Sequence, residues 1–174
     1  MEELTRLAFC ARDGDRDALE RFIRLSQADV WRLCAHLGGR DEADDLTQET
    51  FLRVVSALSS FRGDSSARTW LLVIARRTCV DAVRRSIRRR RLLERSGPPV
   101  VEAVDQSGAA DLDDLVRSLD VDRRLAFVLT QVLGLGYAEA AKVCGCPIGT
   151  IRSRVARARG ELMVLLAGDE SATG

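Results

Sequence analysis

Aromatic side chains are scarce: five Phe, two Trp and one Tyr among 174 residues. Ala, Leu, Val and Arg are plentiful instead, a mixture that favours helices. No run of about 18 apolar residues occurs, so no membrane span is expected. The opening MEELTRLAFCARDGD is charged and lacks the apolar core of a signal peptide, which makes a cytoplasmic protein the default expectation. Histidine is represented by His36 alone, with no evident Ser or Cys partner. The segment RGDSSAR (62–68) has one Gly and lacks the Lys pattern of a phosphate-cradling loop. The cysteines, residues 10, 34, 79, 144 and 146, form no Cys-x-x-Cys pair. They read as reduced thiols, mostly packed in helices. No catalytic set emerges, and no metal site or cofactor is expected.

Net charge is also nearly absent, with 27 Lys and Arg against 26 Asp and Glu. The sum points to no partner, but the distribution does. Asp41, Glu42, Asp44, Asp45 and Glu49 crowd the start of RDEADDLTQETFLRVVSAL (40–58), where acids suit a helix N-terminus. From Arg68 to Arg91 there are nine Arg and one acid, Asp81, a local charge of about +8. Residues 94–114 reverse the sign, with six acids against one Arg, a Pro-Pro pair and no clear period. That stretch reads as an acidic linker and a domain boundary.

Periodicity predicts helices on both sides of the linker. Leu4, Leu7, Ala8 and Ala11, then Ala18, Leu19, Phe22, Ile23, Val30, Leu33, Cys34 and Leu37, recur at three and four. RDGD (12–15) is a break between them, and Gly38-Gly39 ends the second helix. Leu46, Phe51, Val54, Val55 and Leu58 form the expected stripe of a third helix. Trp70, Leu71, Ile74, Ala75, Val80 and Val83 form that of a fourth, beyond the loop SSFRGDSSARTW (59–70). Helix signals return near 112, and GDESATG at the end reads as a frayed tail.

Near the C-terminus, YAEAAKVC is a short helix broken by Gly145, and Pro147 stands where another begins. Ala140 and Ala141 permit a close crossing. Ile148, Ile151, Val155 and Leu162 give the second helix an apolar face, and Arg152, Ser153, Ala156, Arg157 and Arg159 lie on other faces. Two such helices joined by a Gly-containing turn make a helix-turn-helix, whose second helix fits the major groove. Arg bridges guanine O6 and N7 or holds phosphates, and Ser bonds either. The bland alternative is an Arg-rich surface helix in a bundle. The basic 68–91 segment argues against it, because uncompensated Arg residues release counterions on binding phosphate. Phe61 and Trp70 stand near Arg62 and Arg68, a combination suited to unstacked bases, although Trp70 alone reads as core. The acids at 44, 45 and 49 repel DNA; they form either a solvated helix start or a docking face for a basic partner.

ADDLTQETFLRV, FRGDSSARTWLLVIAR and GYAEAAKVCGCPIGTIRSRVARARGEL, in that order, resemble the extracytoplasmic-function (ECF), or group four, sigma factors of the sigma-70 class. The likeness runs from about residue 5 to 166 and looks most similar to an actinobacterial branch. It implies an all-α fold of two small domains: a sigma-2 bundle (1–92) and a sigma-4 helix-turn-helix (112–168). The acidic linker (93–111) would join them and cross the polymerase cleft, and a short disordered tail (169–174) would follow. The partners implied are core RNA polymerase, through its β′ clamp helices and β flap, and promoter DNA, both double- and single-stranded. An anti-sigma factor is admitted as well, though no residue encodes its presence.

Carried over residue by residue, Asp44, Asp45, Gln48, Glu49 and Leu52 match the polymerase-docking segment. Phe61, Arg62, Gly63, Asp64, Ser65, Ser66, Arg68 and Trp70 match the loop that captures a flipped base of the −10 element. Arg76, Arg77, Asp81 and Arg84 match the helix beside it. Gly149, Thr150, Arg152, Ser153, Arg154, Ala156 and Arg157 match the −35 reading helix. Two positions depart from the family: Arg77 stands where many members have Asn, and Ala156 where some have a bulkier residue. The promoter sequence is therefore not carried over. The alternatives are a stand-alone helix-turn-helix regulator and a sigma mimic that sequesters another factor.

Overall fold

The computed structural model describes residues 2–94 and 112–170, all of them in helices and the short connections between helices. Four helices build the first unit: α1 (Glu3–Arg12), α2 (Arg16–Gly38), α3 (Ala43–Ala57) and α4 (Ala67–Glu94). Four build the second: α5 (Leu112–Ser118), α6 (Val121–Phe127), α7 (Tyr137–Cys144) and α8 (Ile148–Glu170). A 3-10 turn over Leu58–Ser60 follows α3, and a π-type turn over Val128–Val132 extends α6.

Capping explains where the helices start and stop. The Asp15 carboxylate accepts the Ala18 N–H at 3.0 Å and opens α2, as expected of an N-cap aspartate. The Gly136 N–H donates to the Glu139 carboxylate at 3.2 Å at the start of α7. Gly145 closes α7 at φ 67°, a left-handed conformation that only Gly adopts without strain. The Cys146 N–H then reaches back to the Ala141 carbonyl at 3.1 Å, and α8 leaves at an angle beyond Pro147.

Each unit has its own apolar centre. Phe22, Val30, Leu33, Val54, Leu71 and Leu72 are fully buried among α2, α3 and α4. Val128, Leu129, Val143, Ile151 and Val155 play that part among α6, α7 and α8. The π-type turn ends with the Leu133 N–H on the Val128 carbonyl at 2.9 Å, which adds one residue to the turn and tucks Leu133 and Leu135 inside. The units touch: α4 packs on α7, and α2 on α5 and α6. Arg68 Nη2 donates to the Leu133 carbonyl at 2.6 Å, and Arg124 Nη1 to the His36 carbonyl at 3.2 Å.

Several expected core positions differ. On α3 the buried line is Ala43, Leu46, Thr47, Thr50 and Val54, so Val55, one residue round the helix, faces outward and Phe51 is half-buried. On α4 the line is Leu71, Leu72, Ala75, Cys79 and Ala82, which leaves Val83 exposed. On α8, Ile151, Val155, Ala158 and Leu162 are inside, whereas Ile148, in the first turn, is exposed. In each case the helix presents a narrow line to its neighbours, and small or hydroxyl side chains hold places in it that an apolar tally passes over. Thr50 Oγ1, for example, returns its hydrogen to the Leu46 carbonyl at 2.7 Å. The tail also begins later than expected, since α8 continues through Asp169 and Glu170. Of the acidic segment 93–111, Leu93 and Glu94 complete α4, and the rest lies outside the described residues.

Candidate nucleic-acid interface

The helix-turn-helix forms as the pattern predicts, with α7 and α8 joined at Gly145. Burial of Ile151, Val155, Ala158 and Leu162 decides which face of α8 remains outside. Gly149, Arg152, Ser153, Ala156 and Arg157 are on it, exposed, and Thr150 is half-buried. Ser153 Oγ donates to the Thr150 carbonyl at 3.0 Å. The four arginines of this stretch separate into two kinds. Arg154 turns inward to pair with Asp122 of α6 and reaches the Cys146 sulfur at 3.8 Å. Arg159 Nη2 donates to Gln131 Oε1 at 2.5 Å. Arg152 and Arg157 are exposed. Arg123 of α6 also pairs with Glu161, so α8 is fastened to α6 along one side by charge and along another by apolar packing.

The loop between the 3-10 turn and α4 encloses a cleft of about 360 Å³, lined by Ser60, Phe61, Arg62, Gly63, Asp64, Ser65 and Trp70. Its rim is polar: Arg62 and Asp64 are exposed and Ser65 is half-buried. Phe61 is buried, and its ring lies 5.1 Å from that of Phe9 on one side and 5.1 Å from that of Trp70 on the other. Phe61 thus anchors the loop, and half-buried Trp70 is the aromatic that borders the cleft. Ser66 caps α4, its Oγ accepting the Thr69 N–H at 3.2 Å.

The basic residues of α4 divide along its length. Arg68 is held from both sides, donating to Asp29 at 2.8 Å and to Leu133 O at 2.6 Å. Arg76 is half-buried, and its Nε is enclosed without a partner. Arg77, Arg84, Arg85, Arg88, Arg89 and Arg91 are exposed. Arg53, Glu49, Asp81 and Arg85 form a charged network between α3 and α4, with Arg53 to Glu49 at 2.6 Å, Arg53 to Asp81 at 2.9 Å and Arg85 to Glu49 at 3.0 Å. Burial pushes the Glu49 carboxyl up, but Arg85 and Arg53 together outweigh it and hold the group below the usual range. The Asp81 carboxyl is lowered as well, chiefly by its hydrogen bond from Arg53.

The acidic end of α3 makes a different surface. Asp44, Asp45 and Gln48 are exposed, with Leu52 64% exposed beside them. Trp31 of α2 joins them, its Nε1 donating to the Asp44 carboxylate at 2.8 Å. A shallow cleft of about 430 Å³ runs between Trp31, Phe51, Leu52 and Val55. An apolar centre with an acidic and amide rim is the anatomy of a protein-binding patch. Trp31 and Val55 come together at this cleft through the packing of α2 on α3, which spacing along either helix does not show.

The five cysteines form no disulfide. Cys34 and Cys79 are buried with sulfurs 3.6 Å apart, and burial pushes the Cys144 thiol up to about 12. Among the described residues no group of three His, Cys, Asp or Glu is placed to hold a metal, and no helix is long and apolar enough to cross a membrane.

The chain is thus a helical bundle with a polar cleft at its 61–66 loop, joined to a helix-turn-helix with an exposed Arg-bearing face. Comparison with known families narrows the class. Sigma-70 region 2 matches residues 22–90, and sigma-70 region 4 matches residues 109–162. The ECF RNA polymerase sigma factor SigC of Mycobacterium tuberculosis is 49% identical over 168 residues, covering 93% of this chain and 90% of that protein. Among solved structures, the sigma factor RpoE of Bartonella quintana, in complex with the anti-sigma factor NepR, aligns with a TM-score of 0.72 at 31% identity, covering 85% of this chain and 96% of that one. CnrH, in complex with the cytosolic domain of CnrY, aligns with a TM-score of 0.75 at 26% identity, covering 97% and 99%. The chain belongs to the ECF sigma factors of the sigma-70 class, in their SigC-like branch. It is an RNA polymerase sigma factor, which binds core polymerase and directs initiation at promoters. A stand-alone regulator would leave the region 2 match without a role.

Proposed function

We propose that the three surfaces divide the work of initiation. Asp44, Asp45, Gln48 and Leu52, with Trp31 and Val55, dock on the β′ clamp helices of core polymerase. Glu49 serves this face indirectly, by tying α3 to α4 through Arg53 and Arg85. The cleft under Arg62, Gly63, Asp64 and Ser65 takes an unstacked base of the −10 element, with Trp70 as its aromatic wall. Arg77 and Arg84 hold the adjoining phosphates. Arg152, Ser153, Ala156 and Arg157 read the −35 major groove, Arg154 keeps α8 seated on α6, and the unit around α8 contacts the β flap. The domains run from 1 to 92 and from 112 to 168, joined by the acidic segment. The protein performs no chemistry of its own, works in the cytoplasm and admits an anti-sigma factor as a partner.

One observation carries the reading most strongly. Arg152, Ser153, Ala156 and Arg157 are exposed on one side of α8 while the ion pair to Asp122 draws Arg154 away from that side. Two exposed arginines and a serine on one side of α8 leave that side able to meet phosphates and base edges. The test is reconstitution of the full chain with core polymerase on a promoter library, with start sites mapped by sequencing. Specific starts preceded by a common pair of elements are expected. Tight operator binding without polymerase, and no starts with it, would replace this reading by that of a stand-alone regulator.

A further inference from the structure

The region 2 match begins at residue 22, so α1 lies ahead of it. Yet α1 makes the contacts that shape the loop preceding α4. Thr5 is buried, and its Oγ1 accepts the Ala67 N–H at 3.0 Å. That amide opens α4 and has no acceptor within the helix, so a residue 62 positions away completes the cap. Phe9 packs its ring on Phe61 at 5.1 Å and lies directly under Gly63. A Cβ on Gly63 would stand 2.6 Å from Phe9 Cζ, and Gly63 has φ +79°. The ring and the backbone conformation both demand glycine there. Arg12 Nη1 donates to the Phe61 carbonyl at 3.3 Å, and its guanidinium lies 5.0 Å over the Phe9 ring while also pairing with Asp13. Residues 5, 9 and 12 are spaced by four and three, which puts them on one face of α1.

We propose that this face of α1 is a platform that positions the base-capturing loop for promoter opening. Thr5 fixes its far end at Ala67, Phe9 sets its height at Gly63, and Arg12 ties its near end at Phe61. The backbone that carries Arg62, Asp64 and Ser65 is then held in place before DNA arrives, so ordering it does not oppose base capture. Thr5, Phe9 and Arg12 are positioning residues that act through the loop. The inference rests on the reading of the 61–66 loop as the −10 base site.

The experiment uses the full chain, alone and in holoenzyme, on a promoter located by start-site mapping. Thr5→Val keeps shape and loses the acceptor, Thr5→Ser keeps the acceptor, and Phe9→Leu removes the ring. Amide hydrogen exchange over residues 62–67 reads the loop, and permanganate reactivity of −10 thymines reads opening. Thr5→Val and Phe9→Leu are expected to speed exchange and to reduce the open fraction about three- to tenfold, the weight of one or two lost contacts. Thr5→Ser should restore both, with affinity for core polymerase and for −35 duplex unchanged throughout. If Phe9→Leu does not fold, the Thr5 pair decides, since Val replaces only the hydroxyl of Thr and Ser removes only its methyl. Asp64→Ala and Ser65→Ala, within the loop, separate the two readings. If they impair opening while Thr5→Val and Phe9→Leu open normally, the platform is overturned. If they leave opening intact, base capture by this loop falls; unaltered exchange in the α1 variants independently overturns the platform.

Discussion

Among the individual residues, the arginines of α8 are the sharpest case. Arg152, Arg154 and Arg157 look alike in the sequence, but Arg154 is turned to Asp122. Arg157→Ala is expected to weaken −35 duplex binding by about 1–3 kcal/mol, with preference relaxed at one base pair. Fluorescence anisotropy against single-base variants of the duplex measures both. Arg154→Ala should instead lower the melting temperature slightly and leave base preference as it was, because a partly exposed pair contributes at most about 1 kcal/mol. Glu49 and Asp81 add a dependence on pH. Both carboxyls lie below their ordinary values in the folded chain. Their stabilising contribution is therefore complete above about pH 4, the unfolded range, and is lost as pH falls through the lower folded values. The melting temperature should hold from neutral pH down to that range and then drop. Glu49→Gln should flatten part of the drop, as calorimetry across pH will reveal.

At the level of the helix, α3 has two faces of different character. Ala43, Leu46, Thr50 and Val54 fasten it to the bundle, and Asp45, Gln48 and Leu52 face out. Asp45→Lys is expected to weaken core polymerase binding at least several-fold, since like charge against a basic partner costs well over 1 kcal/mol. The affinity of the α7–α8 unit for −35 duplex should be unchanged. Surface plasmon resonance with immobilised core enzyme, run beside duplex binding, checks the pair of outcomes. Asp45 suits this test better than Glu49, whose reversal would also break the Arg53 and Arg85 network. The helix pattern was legible from spacing because α3, α4 and α8 each repeat apolar residues at three and four. The faces were less so. Val55, Val83 and Ile148 counted as apolar in the pattern and stand exposed, whereas Thr5, Thr47 and Thr50 are inside. A hydroxyl that bonds a carbonyl four residues back, as Thr50 does, packs like an apolar group, and the sequence alone does not announce it.

For the molecule as a whole, the two units share a contact. Arg68 spans it, bonded to Asp29 on α2 and to the Leu133 carbonyl beyond α6. A phosphate at Arg68 would compete with this contact for the guanidinium, whose Nε and Nη2 are already engaged by Asp29 and Leu133. Arg68→Ala should loosen the contact, and energy transfer between dyes placed on α2 and α8 should fall in the free protein. An unaltered transfer efficiency would put the weight of the contact on α4 against α7 instead. The charge pattern, the helix-turn-helix and the ordered motifs were settled by sequence, because local spacing and composition decide whether a segment is a helix and what it presents. Tertiary structure decided which arginines are free, which aromatics are core and what supports the 61–66 loop. Those depend on partners far apart along the chain, such as Thr5 with Ala67 or Arg154 with Asp122, which only packing brings within reach of a hydrogen bond.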